Sequence, residues 1–210
     1  MQKVNQKIAE QLLEVNAVKL QPNQPFTWAS GWKSPIYCDN RKALSYPATR
    51  TYIKEQLAAI IKEKYSHVEV IAGVATGAIA QGALVAEELG LPFVYIRPAA
   101  KSHGMNNMIE GDLKEGSKVV VIEDLISTGG SSLKAVEAIR NANCEVISML
   151  AIFTYGFPVA TEAFEEAKVE LVTLSNYNAL IDTALEIGTI TESQVEELKE
   201  WRKAPSEWGK

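Results

Sequence analysis

VVVIEDLISTGGSS, residues 119–132, is the stretch on which the fold turns. Apolar, β-branched residues lead into two adjacent acids, then two more apolar residues, then a run of hydroxyls and glycines. The first part reads as a buried strand, so Glu123 and Asp124 stand near the carboxyl edge of a sheet, where open α/β folds bind ligands. Neighbouring residues of a strand point to opposite faces, and the two carboxyls therefore have different tasks. STGGSS next opens the helix SLKAVEAIR, and its glycines let backbone N–H groups wrap an anion at the helix N-terminus. Ser127, Thr128 and Ser131 add hydroxyls. The stretch thus offers acids for sugar hydroxyls or a metal-bound ligand, beside a cup for a phosphate monoester. A plain buried strand followed by a helix cap explains the apolar pattern but not the paired acids.

Working outward, similar apolar runs occur at VEVIAGV (68–74), FVYIR (93–97), VISMLAIF (146–153) and VELVTL (169–174). Between them IAQGALVAEELG and SLKAVEAIRNAN repeat apolar residues at helical spacing, and Gly90 followed by Pro92 ends the first. The alternation predicts an α/β fold, a doubly wound parallel sheet flanked by helices, over residues 46–210. Residues 1–45 fall outside it and predict a small N-terminal hood, because 21–35 are rich in Pro, Gly, Ser and aromatics. Near the other end Thr191 and Gln194 form a capping-box pattern ahead of Val195, Leu198 and Trp201. The segment 98–111 has no helical pattern and is expected to be a mobile loop, since long unstructured loops in compact domains are lids or disorder.

The 210 residues suffice for one core with an appendage. No apolar run approaches the roughly 18 residues of a membrane span, and MQKVNQKIAEQLLEV lacks the apolar core of a signal peptide. A cytoplasmic protein without membrane contact is expected. A formal charge of −5 argues against nucleic acid as a partner. His67 and His103 are the only histidines, and no ligand pair has zinc spacing. Cys38 and Cys144 lie far apart, with no histidine close in sequence, and are expected to be inert. VVVIED also suits a nucleotide triphosphatase, but GDLKEGSK (111–118) has serine and lysine in the wrong order and a strand after it.

The stretch 119–132 resembles the PRPP-binding motif of the type I phosphoribosyltransferases. The resemblance implies that Glu123 and Asp124 contact the ribose, and that Leu125, Ile126, Ser127, Thr128, Gly129, Gly130 and Ser131 form the 5′-phosphate loop. FTWASGWKSPIYCDNR (26–41) looks like the hood of the orotate phosphoribosyltransferases, and RPAAKSHGMNNMIEG (97–111) like their catalytic loop. Arg97, Lys101 and His103 match the family's arginine, lysine and histidine for the pyrophosphate end of PRPP. With residues 69–82 the likeness spans most of the chain and is closest to the short bacterial forms.

Such membership implies transfer of ribose 5-phosphate from PRPP to orotate, giving orotidine 5′-monophosphate and pyrophosphate in pyrimidine (UMP) biosynthesis. Lys101, His103 and Asp124 are then the expected catalytic residues, and Ser127 and Tyr37 the expected orotate contacts. Mg2+ is the implied cofactor, held through PRPP and not directly by protein ligands. A homodimer with shared active sites is also implied, each chain lending Arg97, Lys101 and His103 to its partner's site.

Some positions depart from the family pattern. Ala29 stands where a hood lysine is common, so that Lys33 or Arg41 is left to supply the charge, and Gly77 replaces a frequent lysine in GVATGAIAQG (73–82). In that loop Thr76 and backbone donors are left to bind the anion. IFTYGF lacks the arginine that often meets the orotate carboxylate, and the paired hood aromatics become Tyr37 and Cys38. Trp201 and Trp208 are expected to serve packing or surface, whereas Trp28 and Trp32 suit either packing or stacking. Two rivals share the PRPP motif. A transferase for another base should lack the FTWASGWKSPIY segment, and a regulator that has kept the fold to bind RNA or DNA should carry a basic patch.

Overall fold

The computed structural model describes residues 2–28, 31–99 and 108–208. All the apolar runs are strands: β5 (Val70–Val74), β6 (Phe93–Ile96), β8 (Lys118–Ile126), β9 (Glu145–Thr154) and β10 (Glu170–Asn176). Within the segment read as a loop there is one more short strand, β7 (Ile109–Glu110). The six form one sheet in the order β10-β9-β8-β5-β6-β7. Every pairing is parallel except the edge pair of β6 and β7, where Ile109 lies opposite Ile96. A two-residue strand carries too little alternation to be seen in sequence, and the return of the chain along β6 supplies its hydrogen bonds.

β8 is central, and its alternation builds two cores. Val120 and Ile122 belong to the core on one face, and Val119 and Val121 to the core on the other. Helices α2 (Pro47–Lys64), α3 (Ile79–Leu89) and α6 (Tyr177–Glu186) bury Leu57, Val85 and Leu180 in the first core. Helices α4 (Gly130–Asn141) and α5 (Pro158–Glu166) cover the second face with Val136, Ile139 and Phe164. Each face is a continuous apolar layer, so the strands are buried on both sides, as a parallel sheet requires.

The first 45 residues divide between two places. Helix α1 (Gln2–Glu14) buries Ile8 and Leu12, packs against α6 and β10, and accepts a hydrogen bond from Ser175 Oγ at the Asn5 carbonyl, 2.9 Å. It is therefore a member of the helical layer. The rest forms two small antiparallel pairs, β1 (Val18–Leu20) with β4 (Ile36–Cys38) and β2 (Phe26–Thr27) with β3 (Lys33–Ser34). A 3-10 helix, Asn40–Ser45, then leads to α2.

The hairpin β2–β3 is seated on the C-terminal helix α7 (Glu192–Lys203). Gln194 Oε1 accepts from the Thr191 amide at 2.9 Å, completing the expected start of α7. Trp201 is fully buried, and its Nε1 donates to the Lys33 carbonyl at 3.2 Å. Trp28 packs edge-on against Trp201 at 5.6 Å and beside Tyr155 at 5.4 Å, while its own Nε1 donates to the Ile36 carbonyl. Of the two uses open to Trp28, the structure chooses packing. Trp201→Ala removes the centre of this cluster and should cost about 3–5 kcal/mol of stability, as truncation of a buried aromatic does. Urea unfolding measures it, and a loss below about 1 kcal/mol contradicts the packing described.

Candidate active site

β8 ends in the two acids, and the sheet's alternation separates them. Glu123 points to the α4 face, is 5% exposed, and accepts from Ser132 Oγ of α4 at 2.8 Å and from the Asp124 amide at 2.9 Å. Burial, with a smaller contribution from the neighbouring Asp124 charge, pushes the Glu123 carboxyl up to about 8. Its neutral form is thereby favoured. Asp124 points to the opposite face and opens into the cleft. Its carbonyl accepts from Asn40 Nδ2 at 2.6 Å, a bond that ties the 3-10 helix to the end of the central strand.

Gly77, after β5, lies directly against the Asp124 carboxylate. A Cβ there would overlap the Asp124 carboxylate oxygens, so a larger residue requires that side chain to move. On the other side of Asp124, Gly129 adopts φ +83° as the N-cap of α4, a conformation that favours glycine. No side chain caps α4, so its first N–H groups remain available to an anion.

These pieces enclose a cleft of about 490 Å³. Of the residues expected to bind PRPP, Glu123, Asp124, Leu125, Ser127, Thr128, Gly129 and Ser131 line it. Ile126 is instead fully buried, contributing its carbonyl to Thr154 Oγ1 and to the Tyr155 amide, and Gly130 does not line the cleft. Tyr37 also lies off the cleft, with 42% exposure and its ring 5.6 Å from that of Phe26, whereas the next residue, Cys38, lines it. Arg97 does not line the cleft of its own chain, and its Nη1 stands 3.5 Å from Glu110. Lys101, His103 and Ala29 lie outside the described residues.

Asn40 and Ser132, which position the two acids, were not anticipated, nor was Asp39 on the cleft wall. A capping-type hydroxyl one turn into α4 is a usable local signal for Ser132; a contact from residue 40 to residue 124 has none. Desolvation, then the charges of Asp124 and Asp39, push the Cys38 thiol well up and hold it protonated. Cys144 is buried, with Sγ donating to the Lys114 carbonyl.

A buried acid, a second acid open to the cleft beside it and an amide-lined loop at the carboxyl edge suit a sugar phosphate. Comparison with known proteins agrees. Residues 46–186 match the family model of the phosphoribosyl transferase domain. The chain is 64% identical to the orotate phosphoribosyltransferase of Phocaeicola vulgatus over 99% of this chain and 98% of that protein. It is 63% identical to that of Porphyromonas gingivalis over the whole of both chains. The crystal structure of orotate phosphoribosyltransferase from Aeropyrum pernix superposes with a TM-score of 0.76 at 28% identity, over 88% of this chain and 99% of that one. A phosphoribosyl transferase domain of this extent and full-length relatives of one name lead to the same end: the chain belongs to the orotate phosphoribosyltransferase family.

Proposed function

We propose that the protein transfers ribose 5-phosphate from PRPP to a ring nitrogen of orotate, forming orotidine 5′-monophosphate and releasing pyrophosphate. The observation that carries this reading is the cleft at the end of β8, where Asp124 adjoins the hydroxyl and glycine loop leading into α4. The 5′-phosphate sits on the backbone N–H groups and hydroxyls of Ser127–Ser131, and the ribose diol on Asp124. Asp124, the acid that opens into the cleft, opposes the positive charge that develops on the ribose as the glycosidic carbon changes partners. Catalysis is then mainly positioning and charge stabilisation. Ser127 and the hood face the base, and Lys101 and His103 neutralise or protonate the leaving pyrophosphate.

Mg2+ suits this site. The hard oxygens of Asp124 in the cleft are compatible with an ion that prefers substrate phosphates and keeps its waters, and that would be held through PRPP. When bound it neutralises charge on the pyrophosphate. No helix among the described residues is long and apolar enough to cross a membrane, and we place the enzyme in the cytoplasm as a soluble step of pyrimidine synthesis. The division into an N-terminal hood and a PRPP-binding body of 46–210 belongs to the same reading, with α1 packed on the body and the hood formed by the β1–β4 segment after it.

Incubation with PRPP and Mg2+, with orotate, uracil, hypoxanthine and adenine offered in turn, tests the reaction. Pyrophosphate should appear with orotate alone; turnover of another base with orotate inert overturns the assignment.

Arg97, outside the cleft of its own chain, fits a homodimer in which each chain completes its partner's site with Arg97, Lys101 and His103. Lys101→Ala and Asp124→Asn homodimers should each be nearly inactive. After subunit exchange, hybrids should hold one doubly mutated site and one intact site, so that about a quarter of all sites recover. Verified exchange without recovery would show that each site is built within a single chain.

A further inference from the structure

We infer that Arg41 holds the diphosphate end of PRPP, an inference that rests on reading the β8 cleft as a PRPP site. Among the described residues that line this cleft, Arg41 is the only one with a positively charged side chain, and it shares the walls with Asp39, Glu123 and Asp124. The Asp124 carboxylate repels a polyphosphate, so a cation in the cleft wall decides whether one enters. Arg41 is held ready for that task. Its Nε donates to Asp39 Oδ1 at 2.6 Å, which orients the guanidinium plane and directs the remaining N–H fork elsewhere. The Asp39 contact, and less strongly the Asp124 charge, raises the guanidinium's already high pKa, so its charge is permanent.

The topology says which part of the ligand Arg41 meets. Loop 127–131 leads into α4 on one face of the sheet, while loop 74–77 leads into α3 on the other. The 3-10 helix carrying Arg41 is tied to β8 by Asn40, and the Asp124 carboxylate leans toward Gly77 on this second side. A ribose lying over Asp124, with its 5′-phosphate at loop 127–131, therefore turns its anomeric end toward Gly77 and Arg41. Loop 74–77 offers the Thr76 hydroxyl and backbone amides but no cation, and Arg41 supplies what that side lacks. A guanidinium fork binds two oxygens of a phosphoryl group at once. Lys33, the other residue left to supply this charge, is committed elsewhere, since its Nζ donates to Thr27 Oγ1 at 2.9 Å and it does not line the cleft.

Steady-state kinetics of full-length Arg41→Gln and Arg41→Lys, with inhibition by pyrophosphate and by ribose 5-phosphate, tests the assignment. In Arg41→Gln the KM for PRPP and the inhibition constant of pyrophosphate should rise about ten- to a hundred-fold, the loss expected for hydrogen bonds to a charged group. Inhibition by ribose 5-phosphate and the KM for orotate should be unchanged, which also verifies that the variant folds. Arg41→Lys keeps a point charge and should recover part of the loss. Unchanged pyrophosphate inhibition with ribose 5-phosphate inhibition retained overturns the role of Arg41 alone. A rise confined to the KM for orotate overturns it too, because the guanidinium then serves the base carboxylate. A wild-type protein that neither phosphate compound inhibits overturns the reading of the cleft as well.

Discussion

Burying a carboxyl group is costly unless it is hydrogen-bonded and shifted toward its neutral form, and at the end of β8 Glu123 accepts two hydrogen bonds while burial pushes its pKa up. Ser132 and the Asp124 amide occupy its two oxygens, and this pairing joins the end of the central strand to the first turn of α4. With Glu123 fixed on one face, the alternation of the strand leaves Asp124 on the other. Asn40 then fastens the Asp124 backbone from above, and Gly77 gives its carboxylate room. The cleft follows from these few contacts. They set a loop of hydroxyls and glycines, a carboxylate and a guanidinium within one small space.

The matched domain of residues 46–186 leaves both ends of the chain outside it, and in space those ends are joined. Trp28 from the N-terminal hairpin and Trp201 from α7 pack together against Tyr155, and Arg202 donates to the Tyr155 and Gly156 carbonyls just past β9. The turn after β9 is in contact with the end of β8 through Ile126. The segments that lie outside the domain therefore brace the same sheet edge that carries the cleft.

Much of this was legible in the sequence because its signals are local. Apolar runs marked β5, β6, β8, β9 and β10, and the acids, hydroxyls and glycines of 123–131 marked the cleft floor. Other features have no local signal. The amphipathic face of α1 says that Ile8 and Leu12 are buried but not that α6 and β10 cover them. The bond between Asn40 and Asp124 spans 84 positions. The resemblance implies Tyr37 as a base contact, yet along β4 the exposed position falls on Tyr37 and the cleft-lining one on Cys38. Ile126 belongs to the motif by position, but its side chain is buried in the core beneath α4, with Val119 and Val121, where strict alternation from Asp124 would not place it.

A crystal structure of the protein with PRPP and Mg2+, without a base, tests the central claim most directly. The ribose diol should lie within hydrogen-bonding distance of the Asp124 carboxylate, and the 5′-phosphate on the backbone N–H groups between Ser127 and Ser131. PRPP bound away from the end of β8, or with its diol turned from Asp124, contradicts the account.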